Sequence, residues 1–439
     1  MRLLASPLRP PGAAGDRNGV RRLRMWAPAP VPVHLPAHVP VLGRWRPWTR
    51  LVPGDLPLDD PLAAALNGWG SPAGGTAVVL PHTLTRHGAA VLLAATRQVF
   101  PGGGPLVLLH RGAGGDSLLR TLRRESRGLD LLSVEMPPGA PGAAAAAARD
   151  LAMAAGAAVR AGVHEVRVDA DGLAWSTSWH EKPFPKEKPP LAEGDLVVVT
   201  GGLGGLGRTV ARHLAERLGV QPVLLDHVDP TTPRAQGQLA DLRTSGLPFV
   251  HLPVDVTDPE AVRAVLRGVT RSKPISAIVH CAGTIEGGQV RGIELPDLLR
   301  VAAPKVDGLR AVLAAADPRR LKVVLAFGSI LARVPHGNAG AYALANELLR
   351  REVDRLASTM PGPRYLTAEW SIWDGAGVAA ESGAVAVARQ TGYTPIRLGE
   401  GLAAVERLLA WRGPGTTVLI SEESPDAINS KKESRHGRA

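Results

Sequence analysis

From residue 76 onward, short apolar runs alternate with longer amphipathic stretches. TAVVL at 76–80 is followed by a helical stretch around 84–98, GPLVLLH at 104–110 by a helical segment near 117–127, and LDLLSVEM at 129–136 by an Ala-rich helix near 142–160. Alternation of this kind predicts a parallel sheet covered by helices. HEVRVDADGLAWSTSW at 164–179 changes period to two about an Asp-Gly turn, which predicts a hairpin. The prolines and charges of EKPFPKEKPPLAEGD continue neither element and mark a boundary near 180–194. Seven further apolar runs follow: LVVVT (196–200), PVLLD (222–226), FVHLPVD (249–255), SAIVHCA (276–282), KVVLAFGS (322–329), YLTAEWSIW (365–373) and TTVLIS (416–421). Separated by helical segments, they predict a doubly wound sheet.

Both halves thus have a Rossmann-like α/β layout. Residues 1–75, rich in Pro, Gly, Trp and Arg without a sustained period, read as an irregular lead-in. Residues 76–180 form the first unit, 181–194 a linker, 195–422 the second unit and 423–439 a disordered polar tail. A chain of 439 residues is long enough for two cores. The GGG at 102–104 precedes a strand instead of opening a helix, so it reads as a tight turn, and only the second half is assigned a phosphate loop.

Composition narrows the function classes. No run of about 18 apolar residues exists, which excludes a spanning helix. The N-terminal stretch lacks the apolar core of a secretory signal. A single cysteine, Cys281, excludes an intramolecular disulfide and a cysteine-based zinc site, and a reducing cytoplasm fits. The formal charge of +11 lies largely in terminal segments and scattered Arg, and aromatics at 4% offer little stacking surface, so neither nucleic acid nor membrane is expected as a partner.

At 196–214 the chain reads LVVVTGGLGGLGRTVARHL, a buried strand, a glycine loop and an amphipathic helix. Thr200, Gly201, Gly202, Gly204, Gly205, Leu206 and Gly207 would let a pyrophosphate reach backbone N–H groups at the helix start. Asp226 ends the second strand, where a carboxylate would accept from a ribose 2′-OH and argue for NADH, with His227 beside it. Asp226 pointing to solvent is the alternative. Asp255, followed by Val256, ends the third strand, where it would reach adenine or cap a helix. Ala282 and Gly283 follow the fourth strand, where the nicotinamide end is expected. Ser329 ends the fifth strand, and Tyr342 follows in the helical GAYALANELL, sharing a face with Asn346. A free tyrosine titrates near ~10, so a cation is needed to lower it; Lys305 in VAAPKVDGLRAVL is the candidate.

Together, TGGLGGLG (200–207), HCAG (280–283), PKVDG (304–308), GS (328–329) and AYALAN (341–346) resemble the ketoreductase domain of type I polyketide synthases, within the short-chain dehydrogenase/reductase superfamily. The exchanged positions of Lys305 and Asn346 match that family. The resemblance covers residues 76–421 and implies that the first unit is a truncated structural subdomain. It implies NADPH as the cofactor, with NADH open because of Asp226, and a β-ketoacyl chain on an acyl carrier protein as substrate. Other polyketide synthase subunits would be partners. Ser329 would hold the ketone, Tyr342 protonate it, and Lys305 with Asn346 keep the tyrosine acidic.

The sequence departs from the family in three places. Asp226-His227-Val228 stands where an Arg is common, Ile285-Glu286-Gly287 where one stereochemical class has Leu-Asp-Asp, and Val334 where the other has Trp. The bounds of the chain lead us to expect a free-standing or separately encoded ketoreductase. Residues 374–396 are expected to form a lid, with Trp373 and Tyr393 as substrate contacts. Two other readings remain open, a reductase of a free ketone and a non-catalytic dinucleotide-binding scaffold.

Overall fold

The structure, a computed structural model, describes residues 23–33, 46–47, 49–54, 70–71, 74–101, 104–137, 142–377, 383–390, 394–413, 415–423 and 428. One fourteen-stranded sheet runs through it. In chain order its strands are β1 Arg24–Pro32, β2 Thr49–Leu51, β3 Thr76–Leu80, β4 Leu106–His110, β5 Leu131–Glu135, β6 Glu165–Val168 and β7 Ala174–Lys182. There follow β8 Leu196–Thr200, β9 Gln221–Asp226, β10 Val250–Pro253, β11 Ile275–His280, β12 Val323–Ser329, β13 Arg364–Trp370 and β14 Thr417–Ser421. Across the sheet the order is β10-β9-β8-β11-β12-β13-β14-β1-β7-β6-β5-β4-β3-β2. The run from β10 to β14 is parallel throughout and reverses its winding between β8 and β11. That reversal opens a crevice at the carboxyl ends of these two strands.

The lead-in expectation is corrected here. Arg24–Trp26 pair antiparallel with β14, while Met25–Pro32 pair antiparallel with β7, so β1 splices the two halves into one sheet. Its APAPVP sequence obscured this. Pro28, Pro30 and Pro32 all lie beyond Trp26, where β7 is the only strand among the described residues that flanks it, and a strand with one open edge tolerates residues that lack an N–H. The disordered-tail expectation is corrected at one point: Ile428 is buried against Ile330, Val334 and Leu419.

The helices that matter below are α1 Arg86–Gln98, α2 Asp116–Glu125, α3 Gly142–Met153, α4 Ala155–Arg160, α5 Gly205–Leu218, α6 Pro233–Thr244, α7 Pro259–Thr270, α8 Leu295–Ala314 and α9 Gly340–Thr359. Successive residues of β8 face opposite layers, Val197 and Val199 one core and Leu196 and Val198 the other, as a strand covered on both sides requires. A third core joins the halves. Leu118 and Leu122 of α2 pack with Val301 of α8 and Leu344 of α9, each fully buried side chain of this size stabilising by roughly 1.5–3 kcal/mol.

The first half also has a glycine loop after a strand, which was missed. HRGAGGDS connects β4 to α2, with Gly112, Gly114 and Gly115 at positive φ. Side chains of α9 occupy it: a Cβ on Gly114 would lie 3.0 Å from Glu347 Oε1 and 3.0 Å from Arg351 Nε. Arg351 donates to Asp116 Oδ2 (2.7 Å), Glu135 Oε1 (3.0 Å) and Glu347 Oε1 (3.0 Å). His110, Asp116 and Glu135 are close enough together to ligate a metal, but the guanidinium already supplies their positive partner. Burial works to raise Asp116, yet His110 and Arg351 hold it well below the usual carboxylate range.

Candidate active site

The loop after β8 closes on itself. Gly201 has φ +63°, and a Cβ on Gly207 would fall 2.2 Å from Gly201 O, so Gly207 alone permits this turn. Gly204 is the N-cap of α5 without a side-chain cap, leaving the first-turn N–H groups of Gly205, Leu206 and Gly207 free of a side-chain acceptor. Gly202 packs on Leu224. A glycine cradle over an uncapped helix start fits a dinucleotide pyrophosphate.

Asp226 does something other than expected. Its side chain is 5% exposed; Oδ2 accepts from Leu203 N (2.9 Å) and Oδ1 from Val228 N (3.1 Å). The carboxylate therefore braces the phosphate loop from behind instead of facing out for a ribose. His227, with 75% of its side chain exposed, is the outward group at this strand end. Asp255 is exposed and accepts from Thr257 N and Oγ1 (2.8 Å each), whereas the helix N-cap is Asp258. Val256 is buried against Gly308 of α8.

Thr200 ties three elements together. Its Oγ1 accepts from Cys281 N and Ala282 N (3.1 Å each) and bonds His280 Nδ1 (2.8 Å), whose Nε2 donates to Lys305 O (2.9 Å). His280 was not anticipated. Burial, with the Lys305 charge adding, pushes it down to about 3, so the neutral ring links β8, β11 and α8. Gly283 makes room for Lys305, because a Cβ there would lie 2.9 Å from Lys305 Cε.

The four residues expected to react converge. Lys305 is 4% exposed, donates to Phe327 O (3.1 Å) two residues before Ser329, and has its Nζ 5.9 Å from the Tyr342 ring centroid. Burial lowers its ammonium to about 8, with Cys281 pulling the other way. Tyr342 is raised by burial, against which hydrogen bonds with Ser329 and Asn346 pull it down. In this state the residue is a neutral phenol, the form a proton donor needs. Asn346 donates to Tyr342 O (2.7 Å), while its buried Oδ1 has no partner among the described residues. Such an orphaned acceptor fits a hydroxyl or water arriving with the ligands.

Trp373 departs from the expected substrate contact. It is 3% exposed, lies 4.9 Å from Trp370 in an edge-on contact, and packs so tightly that a Cβ on Gly401 would meet its ring at 2.3 Å. It is a core residue. Tyr393 lies outside the described residues, as does part of the expected lid; the lid's first described residue after Ala376, Gly377, packs directly on Gly205.

Residues 196–375 match the family model described as the KR domain. That segment is a ketoreductase domain. The chain is 32% identical over 235 residues to polyketide synthase GfsA of Streptomyces halstedii, covering 51% of this chain and 3% of that protein. It is 34% identical over 182 residues to the pikromycin polyketide synthase component PikAII of Streptomyces venezuelae, covering 40% and 5%. The chain thus spans only a small part of the curated relatives it matches. Among solved structures, the ketoreductase from the first module of phoslactomycin biosynthesis in Streptomyces sp. HK803 superposes with a TM-score of 0.74 at 23% identity, covering 91% of this chain and 94% of that one. An A-type ketoreductase from a modular polyketide synthase gives 0.75 at 20%, covering 94% and 99%. These likenesses show a shared fold. Domains of this family are oxidoreductases of the short-chain dehydrogenase type that use a nicotinamide dinucleotide. No described helix is long and apolar enough to cross a membrane.

Proposed function

We propose that this ketoreductase reduces a β-ketoacyl thioester, carried on an acyl carrier protein within a polyketide synthase of the cytoplasm, to the β-hydroxyacyl thioester with NADPH. The observation that carries this reading is the convergence of Ser329, Tyr342, Lys305 and Asn346 beside a glycine cradle at the sheet's switch point. The cradle of Gly201, Gly202, Gly204, Gly205 and Gly207 would hold the reduced dinucleotide, which would supply the hydride for the ketone. Ser329 holds the carbonyl oxygen, and Tyr342 gives that oxygen its proton as negative charge develops there. Lys305 stabilises the phenolate left behind, and the open Oδ1 of Asn346 accepts from the group that returns the proton. A β-ketoacyl thioester mimic offered with NADPH or NADH should be reduced; no cofactor oxidation with either across a broad pH range would refute the proposal.

The pH dependence follows from Lys305. Its ammonium, lowered to about 8, is charged below that pH and neutral above it. The reduction rate should therefore be highest at neutral pH and fall as pH rises through about 8. Lys305→Met should remove that limb and lower the plateau. A wild-type profile flat well beyond this point would assign the cation's task elsewhere.

Because Asp226 holds the loop, Asp226→Ala should weaken NADPH and NADH alike, by about tenfold or more for two lost hydrogen bonds to a charged acceptor. Paired binding titrations test this. A gain confined to NADPH would instead place the carboxylate against the ribose. With Asp226 turned inward and His227 outward, the 2′-phosphate meets no facing carboxylate from this strand end, which supports NADPH.

A further inference from the structure

Helix α2 belongs to the half without a cofactor site, yet its side chains reach the segments that carry the reacting groups. Ser117 donates its N–H (2.9 Å) and hydroxyl (2.6 Å) to Glu347 Oε2, one residue beyond Asn346. Arg120, paired with Glu165, donates to the main-chain oxygen of Ala332, three residues beyond Ser329. Glu125 uses both oxygens: Oε2 accepts from Val290 N (2.8 Å) and Oε1 from Asn338 N (2.8 Å).

These points surround the connection from Ser329 to Tyr342. Asn338 is the one described non-glycine residue at positive φ, 61°, and its carbonyl accepts from Gly288 N (2.9 Å), with a bridge between Gly288 and Ala339. A non-glycine residue in that region is strained and persists where its surroundings fix it. The Glu125 carboxylate is what joins the 288–290 and 338–339 segments from outside. Among the described residues the cofactor loop hydrogen-bonds to Leu225 O, to Asp226 and within itself, not to α2.

We propose that α2 is a clamp that sets the spacing of Ser329 and Tyr342, with Glu125 as its positioning residue for the 288–290 and 338–339 segments beside the connection between them. The inference rests on the ketone-reductase reading for its kinetic consequence. A carboxylate accepting two N–H groups fixes two loops at once, and a displacement of about 1 Å in a reacting group can cost a hundredfold in rate. Losing it should therefore reduce kcat and leave dinucleotide affinity untouched.

The test compares Glu125→Gln and Glu125→Ala with the wild type. Glu125 is half-buried near the end of its helix, so both variants should fold. Gln keeps one acceptor and Ala none, so kcat should fall in the order wild type, Gln, Ala, with Ala down by about tenfold to a hundredfold and the dissociation constant for NADPH unchanged. Amide hydrogen exchange in Glu125→Ala should quicken at 288–290 and 338–340 but not at 200–207. Unchanged kcat and exchange in Glu125→Ala, or an equal loss of NADPH affinity, would overturn the clamp. Failure of the wild type to oxidise NAD(P)H with a ketone would refute the reductase reading instead, and the exchange pattern would still decide the clamp.

Discussion

Ketone turnover falls by about 10²- to 10⁴-fold in Tyr342→Phe, while dinucleotide binding stays at the wild-type level. The separation follows from what each atom of Tyr342 does. The ring keeps its place under Lys305 Nζ, and Asn346 bonds the main-chain oxygen of Tyr342, so neither contact needs the hydroxyl. Only the hydroxyl's hydrogen bonds with Ser329 and Asn346 and the transferable proton are lost. The glycine cradle is held by Asp226 and the Thr200–His280–Lys305 links, none of which involves Tyr342. Single-turnover reduction with a fluorescence titration of NADPH separates the two quantities. Turnover near the wild-type rate would mean that another group donates the proton.

The parts legible in the sequence share one property: each is set by local pattern. The parallel strands show as runs of Val, Leu and Ile, and Ser329, Tyr342, Lys305 and Asn346 by their places at a strand end and on helices. What was not legible depends on direction and distant partners. Asp226 was correctly placed at the end of its strand, but position does not say whether a carboxylate turns outward to a ribose or inward to Leu203 N. Gly283 makes space for Lys305, not for a ligand alone. Trp373, read as a substrate contact, fills the core, because an aromatic at a strand end looks the same in either role. The β1 strand was hidden by prolines that only an open edge tolerates. The glycine loop of the first half escaped notice because what fills it, Arg351, lies far along the chain.

That filling sets up the second large effect: Arg351→Met destabilises the protein by about 3–5 kcal/mol at neutral pH, since it leaves buried carboxylates without their cation. In the wild type, burial works to raise Glu135, but Arg351, with His110 and Arg167, brings it down to about 2, and Asp116 is held low by His110 and Arg351 together with Arg120. A carboxylate whose folded pKa is depressed adds stability above its unfolded value near ~4, and that stability is lost as pH falls through the folded value. Removing Arg351 takes away a major opposing charge and leaves burial, so the folded pKa values of Asp116 and Glu135 move upward. If they rise past the unfolded value the sign reverses: the variant is penalised most where both carboxylates are ionised and recovers as they take up protons. The stability gap between variant and wild type should then be widest near pH 7.5 and narrow as pH falls below about 5. Denaturant unfolding at several pH values measures it. A gap independent of pH would show that Arg351 contributes packing instead of charge, and the first half would be joined to α9 chiefly through Leu118, Leu122 and Leu344.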